Sequence, residues 1–118
     1  MNYIDEIAME IGERCAMPFS SGENKRLLRI YAVLCLAKGS ETTNADVHDA
    51  WSAWVLEVFP NHRSIVPFCD LKEITQDLDA PYRDAIREVA ELDCRRNVVL
   101  SGQMDDDKTL IPKGQIGQ

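Results

Sequence analysis

A chain of 118 residues, 45% apolar and 28% charged, has the size and composition of one domain closed around a single hydrophobic core. With 20 acidic and 13 basic residues its formal net charge is -7, which argues against a sequence-independent hold on DNA or RNA, because that affinity is built from many Lys and Arg contacts to phosphates. Four widely spaced cysteines without a C-x-x-C pair, and only two histidines, point away from a structural metal site and suit a reducing compartment.

The first predicted helix spans Tyr3 to Cys15. Ile4, Ile7, Ala8 and Ile11 recur at helical spacing, and Asp5, Glu6, Glu10 and Glu13 occupy the opposite face. The same acidic residues stand where a signal peptide would be basic and then continuously apolar, and no later stretch approaches a membrane span. A cytoplasmic protein without membrane contact is the expectation. The helix should stop near Met17 and Pro18, before a loop at Ser20-Ser21-Gly22.

A second helix is predicted from Glu23 to Ala37, with Leu27, Leu28, Ile30, Tyr31, Leu34 and Cys35 on a broad apolar face that makes it the most buried element. Cys15 and Cys35 fall within helical apolar patterns, where a free thiol behaves as a small hydrophobe. Lys38-Gly39 supplies a basic last turn and a C-capping glycine. Thr42 or Thr43 is a plausible cap for the third helix, with Asp46 the acidic partner of a capping-box-like start from Thr43. Val47, Ala50, Trp51, Trp54, Val55 and Val58 follow at helical spacing until Pro60 ends it.

Residues 61–69 have no helical period and are predicted to form an extended, partly buried connector. Asp70 should cap a short helix running through Gln76. Asp79-Ala80-Pro81 resembles an N-cap followed by proline in the first turn, opening a last helix with Tyr82, Ala85, Ile86, Val89 and Leu92 on its apolar side. Beyond Arg95-Arg96 the pattern fails: Val98-Val99-Leu100 is a short β-prone run, and Asp105 to Asp107 form a solvated charge run without the spacing of a calcium loop. The predicted fold class is therefore mainly α, a compact bundle of about five helices with an extended connector and a flexible C-terminal tail. Residues 1–96 make the single domain and 97–118 a partly mobile tail.

No nucleophile elbow, metal-protease helix or phosphate-cradling glycine loop is present, so no catalytic residues, metal or cofactor are assigned. The densest chemistry lies from His48 to Phe68, which holds both histidines and both tryptophans. Trp51 and Trp54 are one helical turn apart, and either both are core residues or they form a stacking platform for a purine ring or a cation. His48 would lie beside Trp51, and His62 follows the proline that ends the helix. Each is either a structural hydrogen-bonding histidine or a ligand contact. Arg63, next to His62, is either a solvated loop residue or a phosphate contact.

The run His48-x-x-Trp51, Asn61-His62, Ile65-Val66-Pro67-Phe68-x-x-Leu71 and Asp79 resembles the ryanodine-receptor-type repeat domain, which also occurs as small stand-alone proteins in bacteria and phages. The similar segment lies within residues 43–92, and the family's aromatic loop between the tryptophan helix and the histidine is missing here, which makes Trp54 the candidate for its second aromatic. What the resemblance implies is a non-catalytic helical module that holds an adenine-containing nucleotide or a nucleotide-derived signal, between paired repeats in the receptors and in a homodimer here. Trp51 and Phe68 would stack on the base, with Trp54 beside them and His48, His62 and Arg63 meeting polar groups. In a phage, such a protein would serve as a sponge for an immune signalling nucleotide. The competing expectation is a protein-interaction module docking through the Trp51/Trp54 helix.

Overall fold

The computed structural model describes residues 2–20 and 22–92. They form a mainly helical protein with helices α1 (Tyr3–Cys15), α2 (Gly22–Lys38), α3 (Asn44–Val58), α4 (Glu73–Gln76) and α5 (Ala80–Leu92), joined in places by 3-10 turns, and no strand is found among them. The expected tail, residues 97–118, and the β-prone run Val98 to Leu100 lie outside the described residues.

α1 begins where Asn2, in extended backbone, accepts the Asp5 N–H, filling one of the amide positions a helix start leaves unpaired. It ends at Ala16, whose φ of 58° is left-handed and unusual for a residue with a Cβ. The Gly12 carbonyl accepts from the N–H groups of both Ala16 and Met17, which satisfies the end of the helix. This close return requires glycine at position 12: a Cβ there would lie 2.5 Å from the Met17 carbonyl oxygen and 3.0 Å from Leu28 Cδ1. The turn brings Met17 back toward α2, where it packs on the core.

α2 is the hub of the bundle, packed against α1, α3 and α5. Leu27, Leu28, Tyr31, Ala32 and Cys35 are buried along it and meet Ile7, Ala8 and Ile11 of α1, Val47 of α3, and Ala85, Ile86 and Val89 of α5. The apolar side of α5 stops at Val89: Leu92, expected to belong to it, is 68% exposed. Its helical spacing is right, but the described part of the bundle has no element opposite it. Cys35 donates its thiol toward the Ile86 carbonyl at 3.7 Å, the buried small-hydrophobe behaviour anticipated for it.

Gly39, at φ 58°, closes α2 as a left-handed cap. The short turn after it buries Thr42, whose hydroxyl donates to the Gly39 carbonyl at 2.7 Å, while its own carbonyl accepts from Arg87 Nε of α5 at 2.6 Å. These bonds pin the α2–α3 junction to the last helix. α3 then starts with the complete capping box: Thr43 accepts the Asp46 N–H at 3.1 Å and Asp46 accepts the Thr43 N–H at 2.9 Å. On the far side of α2, Asp5 is clamped by both Nε and an Nη of Arg29 at 2.6 and 3.1 Å, and the guanidinium holds its carboxyl below the usual carboxylate range.

After α3 the connector bends in successive turns, with His62 N–H donating to Phe59 and Ile65 N–H to His62, before a 3-10 turn at Phe68–Asp70. Two capping expectations fail here. Asp70 ends that 3-10 turn, and the residue preceding α4 is Lys72, which makes no side-chain cap. Asp79 ends a second 3-10 turn, Asp77–Asp79, that runs straight into α5, so there is no uncapped start for it to satisfy. Its carboxyl is left for another use.

The α1 turn gives a paired test. Gly12→Ala should lower stability by about 2 to 3 kcal/mol, because backbone and a packed leucine must move aside, whereas Ala16→Gly should raise it by about 0.5 to 1 kcal/mol by removing left-handed strain. Urea unfolding of both variants checks the account, and a neutral Gly12→Ala would disprove the close approach.

Candidate functional site

A pocket of about 500 Å³ opens between α2, α3, the connector and the start of α5, within the range of sites that enclose a small organic molecule. Its deepest groups are the buried Leu27, Tyr31 and His48. Trp51 and Trp54 line it from α3, Tyr82 and Asp79 from the α5 end, and the exposed His62 and Leu78 stand at its rim.

Helical spacing explains the tryptophan side: His48, Trp51 and Trp54 follow at intervals of three residues and so share one face of α3. His48 Nε2 lies 2.7 Å from the Val66 carbonyl oxygen. A carbonyl only accepts, so Nε2 carries a proton and the second ring nitrogen is left over. The Ser52 hydroxyl approaches the same nitrogen at 3.4 Å. The His48 ring stacks against Trp51, with centroids 5.6 Å apart and planes at 26°. His62 meets Trp51 edge-on at 5.1 Å and 88°. It is oriented by the Ser64 N–H, which donates to Nδ1 at 3.1 Å and so places the proton of the neutral ring on Nε2. Trp54 is fixed from the α2 side, its indole N–H donating to the Glu23 carbonyl at 3.0 Å.

Of the six residues singled out in the sequence, His48, Trp51, Trp54 and His62 meet at this pocket. Phe68 and Arg63 do not line it. Phe68 packs on His48 instead, with centroids 6.1 Å apart at 56°, and supports the ring from the connector. Arg63 is exposed on the connector. Each tryptophan is half-buried, packs against the core and also faces the cavity, so neither is a fully buried core residue.

Three important residues were not singled out for the site: Tyr31, Tyr82 and Asp79. Tyr31 and Tyr82 lie on the apolar faces of their helices, and their rings sit 5.9 Å apart. Burial first, then the charge of Asp79, pushes the Tyr31 phenol well above its ordinary value, so it stays a neutral O–H donor. Burial likewise raises the Asp79 carboxyl, with the nearby His48 ring pulling the other way. Neither the Tyr31 hydroxyl nor the Asp79 carboxyl has a hydrogen-bond partner among the described residues, and no Lys or Arg of those residues lines the pocket. The available signal was chemical: a tyrosine inside a buried stripe carries a hydroxyl that must be satisfied somewhere.

The sign of the Asp79 effect follows from its raised value. Its favourable contribution to folding is complete below the ordinary Asp range near 3.9 and is lost as pH rises through the higher folded value. At neutral pH the group therefore weakens the free protein. Asp79→Asn should raise Tm at pH 7, and the advantage should disappear as the pH is lowered through the ordinary Asp range. A variant less stable than the parent at pH 7 would mean that Asp79 is compensated after all.

Neither the curated proteins nor the solved structures contain a match to this chain. Among protein families one model matches, over residues 2–91, a span that takes in all five helices almost to the end of the last one and every residue of the pocket. The chain belongs to the family described as Domain of unknown function (DUF7701).

Proposed function

We propose that this protein is a non-catalytic binding module that holds an adenine-containing nucleotide or a nucleotide-derived signal in the pocket between α2, α3 and the start of α5. The observation that carries the reading is the lining itself: two tryptophans, two tyrosines and both histidines gathered around about 500 Å³. That is room for a planar ring among aromatic surfaces, with polar groups at its edge. The base is the part to be enclosed. With no Lys or Arg of the described residues in the lining and a carboxyl present, phosphates belong outside, toward the rim at His62 and the exposed Arg63 beyond it.

In this reading the histidines position the aromatic wall: Nε2 of His48 is engaged by a backbone carbonyl and Nδ1 of His62 by a backbone N–H, which fixes both rings against Trp51. If the protein is phage-encoded, holding the signal without transforming it would lower the free ligand by mass action, as a sponge does. Residues of a single chain surround the pocket, so the homodimer suggested by paired repeats is a proposal about assembly and is not required for binding. Docking of a protein partner through Trp51 and Trp54 is the less favoured reading, because both rings face the cavity and Trp54 is tied to Glu23.

A thermal-shift and calorimetry panel of mono-, di- and cyclic adenine nucleotides and ADP-ribose tests this. A ligand at 100 times its Kd should add about 2.7 kcal/mol, a rise in Tm of roughly 10 to 20 °C for a domain of this size. Trp51→Ala and Trp54→Ala should abolish the shift. Silence across the whole panel would remove the proposal and direct attention to protein partners.

A further inference from the structure

The polar groups of the pocket form a complementary pair. Asp79, at the end of the Asp77–Asp79 turn, offers a carboxyl that accepts hydrogen bonds. Tyr31, in the middle of α2 and 1% exposed, offers a hydroxyl that donates. Both border the same cavity, they are close enough for the charge of one to act on the other, and neither is used by another described residue. The hydroxyl of a buried tyrosine that borders the cavity and a half-buried carboxyl, neither bonded to another described residue, leave hydrogen-bonding capacity for a ligand to complete.

We propose that Asp79 and Tyr31 read the edge of the bound ring, and that the ring presents an exocyclic amine beside an unprotonated ring nitrogen, the arrangement shared by adenine and cytosine. The carboxyl oxygen of Asp79 accepts from the amine, and the Tyr31 hydroxyl donates to the ring nitrogen. Hypoxanthine and uracil reverse both positions, placing a carbonyl against the carboxyl and an N–H against the hydroxyl hydrogen. Guanine reverses them too, although its added amine offers a further donor. The aromatic surfaces of Trp51, Trp54 and Tyr82 hold any flat ring, so selectivity rests on the two polar groups. The inference depends on the nucleotide-binding reading and adds to it the two residues that choose the base.

Calorimetry with adenosine, inosine, cytidine, uridine and guanosine tests it, with 1-deazaadenosine as the probe of the ring nitrogen. Adenosine should bind at least about tenfold more tightly than inosine, the scale expected when a site built for a donor meets an acceptor. Cytidine should exceed uridine by a similar factor, and the adenosine-to-cytidine ratio tells which of the two bases the pocket prefers. Asp79→Asn should bring adenosine and inosine within a few-fold of each other, since a side-chain amide can turn to meet either edge. Loss of binding to that variant could not be blamed on misfolding if its Tm is raised as anticipated. Tyr31→Phe should weaken adenosine but leave 1-deazaadenosine unchanged. Equal affinity for adenosine and inosine, or tighter binding of guanosine, would overturn the assignment of Asp79 and Tyr31 while leaving a nucleotide-binding module intact. Absence of binding by every nucleoside and every adenine nucleotide would overturn both.

Discussion

Between α3 and α5 the chain runs for some twenty residues without burying a single one of them completely, so apolar burial alone does not hold this stretch on the bundle. Its inner anchor is the hydrogen bond from His48 Nε2 to the Val66 carbonyl at 2.7 Å, made by an imidazole that is only 3% exposed. Breaking it would leave a buried donor and a backbone acceptor unmet, at about 1 to 3 kcal/mol. Phe68 packs on the same ring, and Gln76 then donates to the Phe68 and Leu71 carbonyls at 3.0 and 3.1 Å. The order of dependence is plain: α3 places His48, His48 places the connector, and the connector places the Asp77–Asp79 turn whose carboxyl enters the pocket.

The two aspartates at opposite sides of the bundle illustrate how differently the protein treats charge. Asp5 is satisfied by a two-point contact with Arg29 and by Asn2, an arrangement that favours the ionised form and supports folding. Asp79 sits beside aromatic rings with only the His48 ring to offset its burial. A group that opposes folding at neutral pH and faces a cavity is what the proposed binding role calls for, with its complement supplied by the ligand.

Much of the scaffold was legible because local chemistry determined it. Ile4, Ile7, Ala8 and Ile11 mark α1 to the residue, Thr43 and Asp46 make the capping box their spacing implies, and Gly39 closes α2 as glycine should. The tryptophan face of the site was legible for the same reason, since one helix carries His48, Trp51 and Trp54 in register. What escaped was set by tertiary contact. Nothing near Asp79 in the chain says that a 3-10 turn will remove its capping task and free its carboxyl, and nothing near Phe68 says that it will face His48 and not the cavity. Tyr31 was seen as a core residue, which it is, but it also lines the pocket, a placement that depends on how α3 and the start of α5 pack around α2. Ala16 adopts a left-handed turn where glycine would be the natural choice, because the return of Met17 onto α2 imposes it.

The central claim is that the imidazole of His48 holds the connector and so builds the pocket. A long-range proton–nitrogen spectrum of the histidine side chains tests it most directly, with His48 assigned by comparison with His48→Gln. The account predicts that His48 carries its proton on Nε2, that this proton exchanges slowly with water, and that it lies close to Val66. A His48 ring protonated only on Nδ1, or an Nε2 proton lost to solvent at the rate of an exposed imidazole, would contradict the account.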